Sequence, residues 1–183
     1  MASTLKSIAV YCGHQMGTDP QFKRDARAVG RMLAKNGIRM VFGGGDVGLM
    51  GTVATAALDN GGDVIGVSTD DVIAMQEPAH DEIKVQIVDG VNERKQIMYN
   101  KSDAFIILPG GIGTLNELTD ILTMQQIGET TKPLFFLNSN NFWNPLYRLI
   151  KHMQKNGFVV KTDNYNIHIA DSVAELKKQV LKY

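Results

Sequence analysis

The sequence has little cysteine and no excess of charge of either sign, and both shortages limit what the protein can be. Cys12 is the single cysteine among 183 residues, so no disulfide can form within the chain, and we expect a reducing, cytoplasmic location. Lysine plus arginine number 19, as do aspartate plus glutamate, which gives a net charge of +0. Because nucleic-acid binders usually carry a basic excess, nucleic acid is not an expected partner, whereas a small anion needs only a few local donors.

Long apolar runs and several familiar catalytic patterns are also missing. The apolar run near the N-terminus is too short for a signal sequence or a membrane span, so we expect no membrane partner. His80, His152 and His168 stand apart without the spacing of metal ligands, and no Ser-His-Asp or Cys-His pattern is present. The histidine spacing therefore indicates no metal site.

Strand-like and helix-like segments alternate along the whole chain. Short apolar segments predict strands at 7–11, 39–42, 63–68, 84–88, 104–108, 133–137 and 166–170. Helical periodicity predicts helices at 21–36, 49–58, 92–101, 113–127, 142–156 and 172–182, with a loop and a helical turn at 69–82. Strands that are apolar on both faces are buried in a parallel sheet, so we predict one doubly wound α/β domain over 1–183, with a mostly parallel sheet of six or seven strands.

The first glycine-rich segment, 42–51 (FGGGDVGLMG), follows the second predicted strand and leads into a helix. Gly43, Gly45 and Gly48 satisfy the pattern G-x-G-x-x-G, which is typical of dinucleotide sites but weak when it stands alone. The same glycines also suit tight packing of a helix on a strand. A nucleotide site, a redox dinucleotide site and a purely structural turn all remain open here.

The second glycine-rich segment, 109–114 (PGGIGT), links a buried strand to a helix. Its glycines leave backbone N–H groups uncovered for an anion, and Thr114 is predicted to cap the helix and to offer its hydroxyl to a phosphate. The loop lies at the carboxyl end of a central strand, where open α/β sheets bind ligands. It lacks the Gly-Lys-Ser/Thr ending of a P-loop, so hydrolysis of a triphosphate with magnesium is not expected.

Charged residues near these turns admit two interpretations each. Glu117 lies one turn into the helix, where its carboxylate either interacts favourably with the helix dipole or points at the bound ligand. Arg94 and Lys95 open another helix, where cations oppose the dipole and suggest an anionic partner, although spacing alone favours a solvated face. Met98 shares a face with Arg94. Cys12 ends the first strand and either lines a pocket or belongs to the core.

Three segments carry a resemblance to a known family: 42–51, 92–95 (NERK) and 109–117 (PGGIGTLNE). Together they resemble the Lonely Guy family of phosphoribohydrolases, which cleave the N-glycosidic bond of cytokinin riboside 5′-monophosphates. The resemblance implies a Rossmann-like fold, a homodimer, no metal or other cofactor, and a nucleoside 5′-monophosphate as substrate. Arg94 and Glu117 match the family's catalytic pair. The candidate substrate-binding residues are Glu77, Lys95, Met98, Gly110, Gly111, Ile112, Gly113, Thr114, Thr123, Gly43, Gly44 and Cys12.

This chain departs from the family pattern at three positions. Asn116 stands where a glutamate is common, Asn92 where a histidine is common, and Met124 where a tryptophan is common. Since Glu117 is retained, these changes are expected to affect the choice of substrate more than the reaction type. The leading hypothesis is hydrolysis of a purine nucleoside 5′-monophosphate, with AMP or an N6-modified AMP as substrate. A non-catalytic nucleotide carrier and an NAD-linked oxidoreductase are the alternatives.

Overall fold

A single parallel β-sheet with helices on both faces organises the chain. The computed structural model describes residues 4–74, 82–160 and 163–183. The strands are β1 (Ser7–Tyr11), β2 (Arg39–Phe42), β3 (Val64–Ser68), β4 (Lys84–Ile87), β5 (Ala104–Ile107), β6 (Leu134–Leu137) and β7 (Ile167–Ala170). The helices are α1 (Pro20–Lys35), α2 (Gly48–Leu58), α3 (Asp70–Ala74), α4 (Val91–Asn100), α5 (Ile112–Gln126), α6 (Asn144–Lys155) and α7 (Val173–Val180), with a 3₁₀ turn at Ser139–Asn141.

The predicted doubly wound α/β fold is confirmed, because every strand pairing is parallel and the strands follow the order β4-β3-β2-β1-β5-β6-β7. The element bounds agree with the sequence pattern to within about two residues, as is usual where helices fray. The 3₁₀ turn at Ser139–Asn141, just before the helix predicted at 142–156, was not predicted. The seven strands of the described residues join one sheet, and the single domain over 1–183 stays a prediction.

The strand order reverses between β1 and β5, which creates a crevice at their carboxyl ends. β1 pairs with β2 on one side and with β5 on the other, so the chain connections leave in opposite directions. One more backbone hydrogen bond continues the β1–β5 pairing past the strand ends, from Gly13 N–H to the Pro109 carbonyl at 3.0 Å. The second glycine-rich segment therefore starts at the switch point of the sheet.

Alternating side chains divide the apolar core between the two faces of the sheet. Val10 and Cys12 point to the face covered by α1, α2 and α7, whereas Tyr11 and Phe105 point to the face covered by α4 and α5. Cys12 is buried in the first of these clusters, and burial raises the pKa of its thiol. The structure thus favours the core interpretation of Cys12 over the pocket interpretation.

Candidate active site

A nearly buried ion pair joins α4 to α5 beside the crevice. Arg94 Nη1 lies 3.2 Å from Glu117 Oε1, and the two side chains are only 10% and 11% exposed. Arg94 Nε also donates to the backbone carbonyl of Val67, at the end of β3, at 2.9 Å. Met98, one turn after Arg94, is completely buried and fixes α4 against the sheet. The guanidinium is therefore held from two directions.

The first glycine-rich segment makes room for this guanidinium. A Cβ atom at Gly43 would lie 2.1 Å from Arg94 Nη2 and 3.0 Å from Met50 Sδ. Real Cβ atoms do not approach other atoms so closely, so only glycine fits at position 43 while Arg94 keeps its place. The predicted residue Gly43 thus belongs to the site through Arg94. Gly44, with φ +82°, packs instead against Ser68 and Val85.

Burial raises the pKa of Glu117 to about 7. Arg94 and Lys95 act in the opposite direction and favour the ionised carboxylate, whereas Asp120 adds to the rise. A carboxyl group with such a pKa is present in both protonation states near neutral pH, which is the condition for general acid–base chemistry. The sequence left Glu117 open between a helix-dipole role and a chemical role, and its burial and pKa favour the chemical one.

Lys95 contacts α5 beside the Arg94–Glu117 pair. Its ammonium lies 2.6 Å from Asp120 Oδ2 and donates to Asn116 Oδ1 at 2.9 Å. Asn116 and Asp120 are four residues apart on α5 and flank Glu117, so both reach the same cation. Two parallel links thus connect α4 and α5, one nearly buried and one at the rim.

The second glycine-rich segment is open to its surroundings. Apart from the adjoining residues and the backbone of α5 itself, no heavy atom of the described residues lies within 4 Å of the position that a Cβ would take at Gly111 or Gly113, and Ile112 between them is 83% exposed. Gly111 precedes the first helical residue of α5, which has no side-chain cap in the described part of the chain. The free N–H groups of the first turn therefore face open space, as at helix termini that bind phosphate.

Thr114 has a different role from the one predicted. The capping position belongs to Gly111, and Thr114 lies inside the first turn of α5, where it is buried. Gly110 leaves space for this side chain, since a Cβ there would lie 2.1 Å from Thr114 Oγ1 and 2.9 Å from the Gly13 nitrogen. The prediction that Thr114 caps the helix is wrong, because the glycine before Ile112 already takes the extended conformation that begins the helix.

A cleft of about 360 Å³ lies between α4 and α5, and Glu117 is part of its lining. Its lining includes three predicted site residues, Lys95, Glu117 and Thr123. Sequence reasoning missed several others, among them Tyr11, Tyr99 and Asp120. Positions 117, 120, 121 and 124 follow helical spacing along one face of α5, and that signal was available in the sequence.

Other parts of the molecule lie outside this cleft. A second hollow of about 370 Å³ lies between α1 and α2, and Glu117 lines the α4–α5 cleft but not this hollow, so we place the chemistry in the α4–α5 cleft. Glu77, a predicted substrate ligand, falls outside the described residues. Within the described ranges, no three His, Cys, Asp or Glu side chains come together as metal ligands, and no helix has the length and apolar character to cross a bilayer.

The fold and the placement of this site at the switch point define a Rossmann-like α/β protein. The family described as "Possible lysine decarboxylase" matches residues 50–180. The cytokinin riboside 5′-monophosphate phosphoribohydrolase of Rhodococcoides fascians is 37% identical over 171 residues, covering 93% of this chain and 86% of that protein. The enzyme LOG of Oryza sativa subsp. japonica, with the same activity in its name, is 36% identical over 99% of this chain and 75% of its own length.

The chain belongs to this family, and the resemblance drawn from its three sequence segments is confirmed. A solved structure, the molybdenum cofactor carrier protein of Chlamydomonas reinhardtii, superposes with a TM-score of 0.71. It is 20% identical, and the match covers 97% of this chain and 98% of that chain. At this level of identity, the likeness concerns the fold alone.

Proposed function

We propose that the protein hydrolyses the N-glycosidic bond of a purine nucleoside 5′-monophosphate, releasing the free base and ribose 5-phosphate. The observation that carries this proposal is a nearly buried carboxylate, Glu117, with a pKa of about 7, held by Arg94 one helical turn from the open glycine turn. AMP and N6-modified, cytokinin-type nucleotides are the proposed substrates. The names of the two relatives point to the same chemistry.

The open turn at 111–113 serves as the binding site of the 5′-phosphate in this proposal. The uncovered N–H groups and the positive end of the α5 dipole attract the phosphate. Glu117 follows Gly113 by four residues, about 6 Å along the helix axis. Binding energy gained at the phosphate thereby positions the anomeric carbon beside the carboxylate, although the phosphate takes no part in bond breaking.

Glu117 then acts on the reacting carbon. As the bond from the anomeric carbon to the base nitrogen breaks, its electron pair leaves with the base and positive charge develops on the ribose. The ionised carboxylate stabilises that charge and accepts a proton from the attacking water, whose oxygen bonds to the anomeric carbon. The proton released by the water ends on the departing base. Arg94, bound to the Val67 carbonyl and to Glu117, orients the carboxylate.

The test is release of free base from a panel of nucleosides and their mono-, di- and triphosphates. We expect turnover of purine monophosphates and a loss of about 10²- to 10⁴-fold in Glu117→Gln. Asp59→Asn is the matched control, because Asp59 is an exposed carboxylate that lines the hollow between α1 and α2, away from the α4–α5 cleft. Absence of base release from every monophosphate would reject the hydrolase. Nucleotide binding without turnover would instead favour the carrier alternative, and NAD binding the oxidoreductase.

We also propose a cytoplasmic homodimer formed through the α4–α6 side of the sheet. Several apolar residues on this side are exposed: Ile112 on α5, Ile127 just after it, Leu149 on α6, and Ile167 and Ile169 on β7. Helix α6 has no buried residue at all. Ile167 and Ile169 pair in register with strand residues of the α4–α5 core, so they point to the same side. Apolar surface of this kind marks an interface.

Light scattering coupled to size exclusion tests the dimer directly. We expect twice the mass of the 20.1 kDa chain, and a shift toward the monomer in the double variant Leu149→Glu with Ile169→Glu. A wild-type protein that stays monomeric at all concentrations up to about 100 times those used in the activity assay would contradict the proposal.

A further inference from the structure

Successive turns of α5, from the open turn at its start to the part that lines the cleft, offer positions for the parts of a nucleotide. The open turn lies at the start of the helix, Glu117 follows one turn later, and Asp120, Ile121 and Met124 continue along the same cleft. Each residue advances about 1.5 Å along the axis. If the phosphate occupies the first turn and the ribose lies beside Glu117, the base extends toward Asp120 and Met124. This placement rests on the proposed function.

Lys95 and Asp120 present a donor and an acceptor side by side in that part of the cleft. Asp120 Oδ2 is occupied by the Lys95 ammonium at 2.6 Å, while its other oxygen has no hydrogen-bond partner among the described residues. Asp120 is 45% exposed and lines the cleft, so this oxygen is open to a bound molecule. An ionised carboxylate has no hydrogen to donate, so this oxygen can only accept a hydrogen bond.

We propose that Asp120 selects a 6-aminopurine over a 6-oxopurine. An amino group at position 6 offers an N–H to the free carboxylate oxygen, and it still carries one N–H when the other hydrogen is replaced by a substituent. A carbonyl oxygen at position 6 brings a second acceptor against the carboxylate and is repelled. Asp120 thus combines an attraction for one base with a repulsion of the other, the two components from which specificity is built.

The experiment compares three nucleotides that differ only at position 6 of the purine: AMP, IMP and purine riboside 5′-monophosphate, which carries hydrogen there. For the wild type we expect kcat/KM to fall in the order AMP, purine riboside monophosphate, IMP, with about 10- to 100-fold between the first and the last. In Asp120→Asn the amide accepts from Lys95 or donates to a carbonyl, so the AMP-to-IMP ratio is expected to drop by about tenfold or more. The ratio is independent of the fraction of enzyme that is folded.

Two results would overturn the proposal: a wild type that hydrolyses AMP and IMP equally well, or an Asp120→Asn variant whose ratio stays within about twofold of the wild type. Asp59→Asn should leave the ratio unchanged, because it removes a carboxylate from the opposite face of the sheet. Dissociation constants of AMP and IMP, measured by calorimetry in the Glu117→Gln background and in Glu117→Gln with Asp120→Asn, test base selection without turnover. A failure of hydrolysis is thereby distinguished from a failure of selection.

Discussion

The two glycine-rich turns look alike in sequence but differ in what surrounds their glycines. In the first turn, Gly48 has φ +63° and a Cβ there would lie 2.3 Å from the His14 backbone, while one at Gly51 would lie 2.4 Å from the Asp46 backbone. In the second turn, Gly111 and Gly113 have no neighbour within 4 Å among the described residues. Gly48 and Gly51 of the first turn are required by the chain itself, as is Gly110 of the second, whereas Gly111 and Gly113 leave space for something outside the chain.

This difference explains why the dinucleotide pattern is a weak guide in this protein. Gly43 leaves space for Arg94, and Gly48 needs a left-handed backbone against His14, so packing accounts for both positions. The second turn has a less familiar pattern, yet it has the open N–H groups that an anion requires. The surroundings of a glycine therefore distinguish a structural turn from a binding turn where the letters alone do not.

Among changes to the two turns, the largest effect is expected from Gly43→Ala, because Gly43 contacts the catalytic pair through Arg94. The new methyl group would occupy the place of Arg94 Nη2, so the guanidinium must leave its position beside Glu117. We expect base release to slow by about 10²- to 10³-fold, comparable to the loss of one catalytic donor. Steady-state kinetics with circular dichroism as a check of folding measure this. A folded Gly43→Ala protein with full activity would show that activity does not require the position of Arg94 that Gly43 allows.

Gly48→Ala should act on stability. Alanine in a left-handed conformation costs about 1–3 kcal/mol, and the clash with the His14 backbone adds to this because neither partner is a flexible side chain. Urea denaturation should therefore show a lower free energy of unfolding. An unchanged midpoint would mean that the first turn rearranges at no cost and does not require glycine at position 48.

Gly113→Ala is the matched change in the second turn, with the opposite sign for stability. A methyl group there meets open space within a helix, so we expect the free energy of unfolding to stay the same or to rise by up to about 1 kcal/mol. The same methyl group intrudes on the proposed phosphate site, so KM for the nucleoside monophosphate should increase about tenfold. Urea denaturation of the variant tests the expected stability, and steady-state kinetics of the same variant test the expected rise in KM. Unaltered KM would argue against phosphate binding at this turn.

The smallest effect concerns the pH dependence of the reaction. If ionised Glu117 is required, kcat/KM should fall below pH 7, since burial raises the pKa of this carboxyl group to about 7 and its protonated form is inactive. Lys95 lowers the pKa of Glu117 and Asp120 raises it. The acid limb should therefore move to higher pH in Lys95→Met and to lower pH in Asp120→Asn. Shifts in the reverse directions would contradict the assignment of the limb to Glu117.

The sequence predicted the fold well because the signals involved are local. Apolar strands such as 104–108 and the glycines that end helices mark their own positions, and alternation of strands and helices is enough to predict a parallel sheet. The pairing of Arg94 with Glu117 is not local, since the two lie on different helices 23 residues apart and meet only because of the strand order. The family resemblance supplied that pair, and the geometry explains it.

Two errors in the site have physical causes, one local and one that involves another helix. Thr114 was expected to cap α5 because threonine favours that position, but Gly111 reaches the extended conformation first and Thr114 turns inward against Gly110. Asp120 was missed because a carboxylate on a helix is usually a solvated residue. Its significance depends on an ion pair with another helix, since Asp120 Oδ2 lies 2.6 Å from Lys95 Nζ on α4.

The hydrogen bond from Arg94 to the Val67 carbonyl has a consequence for how this protein can evolve. A main-chain oxygen is present whichever side chain stands at position 67, so no substitution there can delete this acceptor. The orientation of Arg94 therefore depends on the path of the β3 backbone and not on the side chains of β3. Relatives whose third strand has diverged beyond recognition should still hold this arginine in the same place, provided that the strand itself is kept.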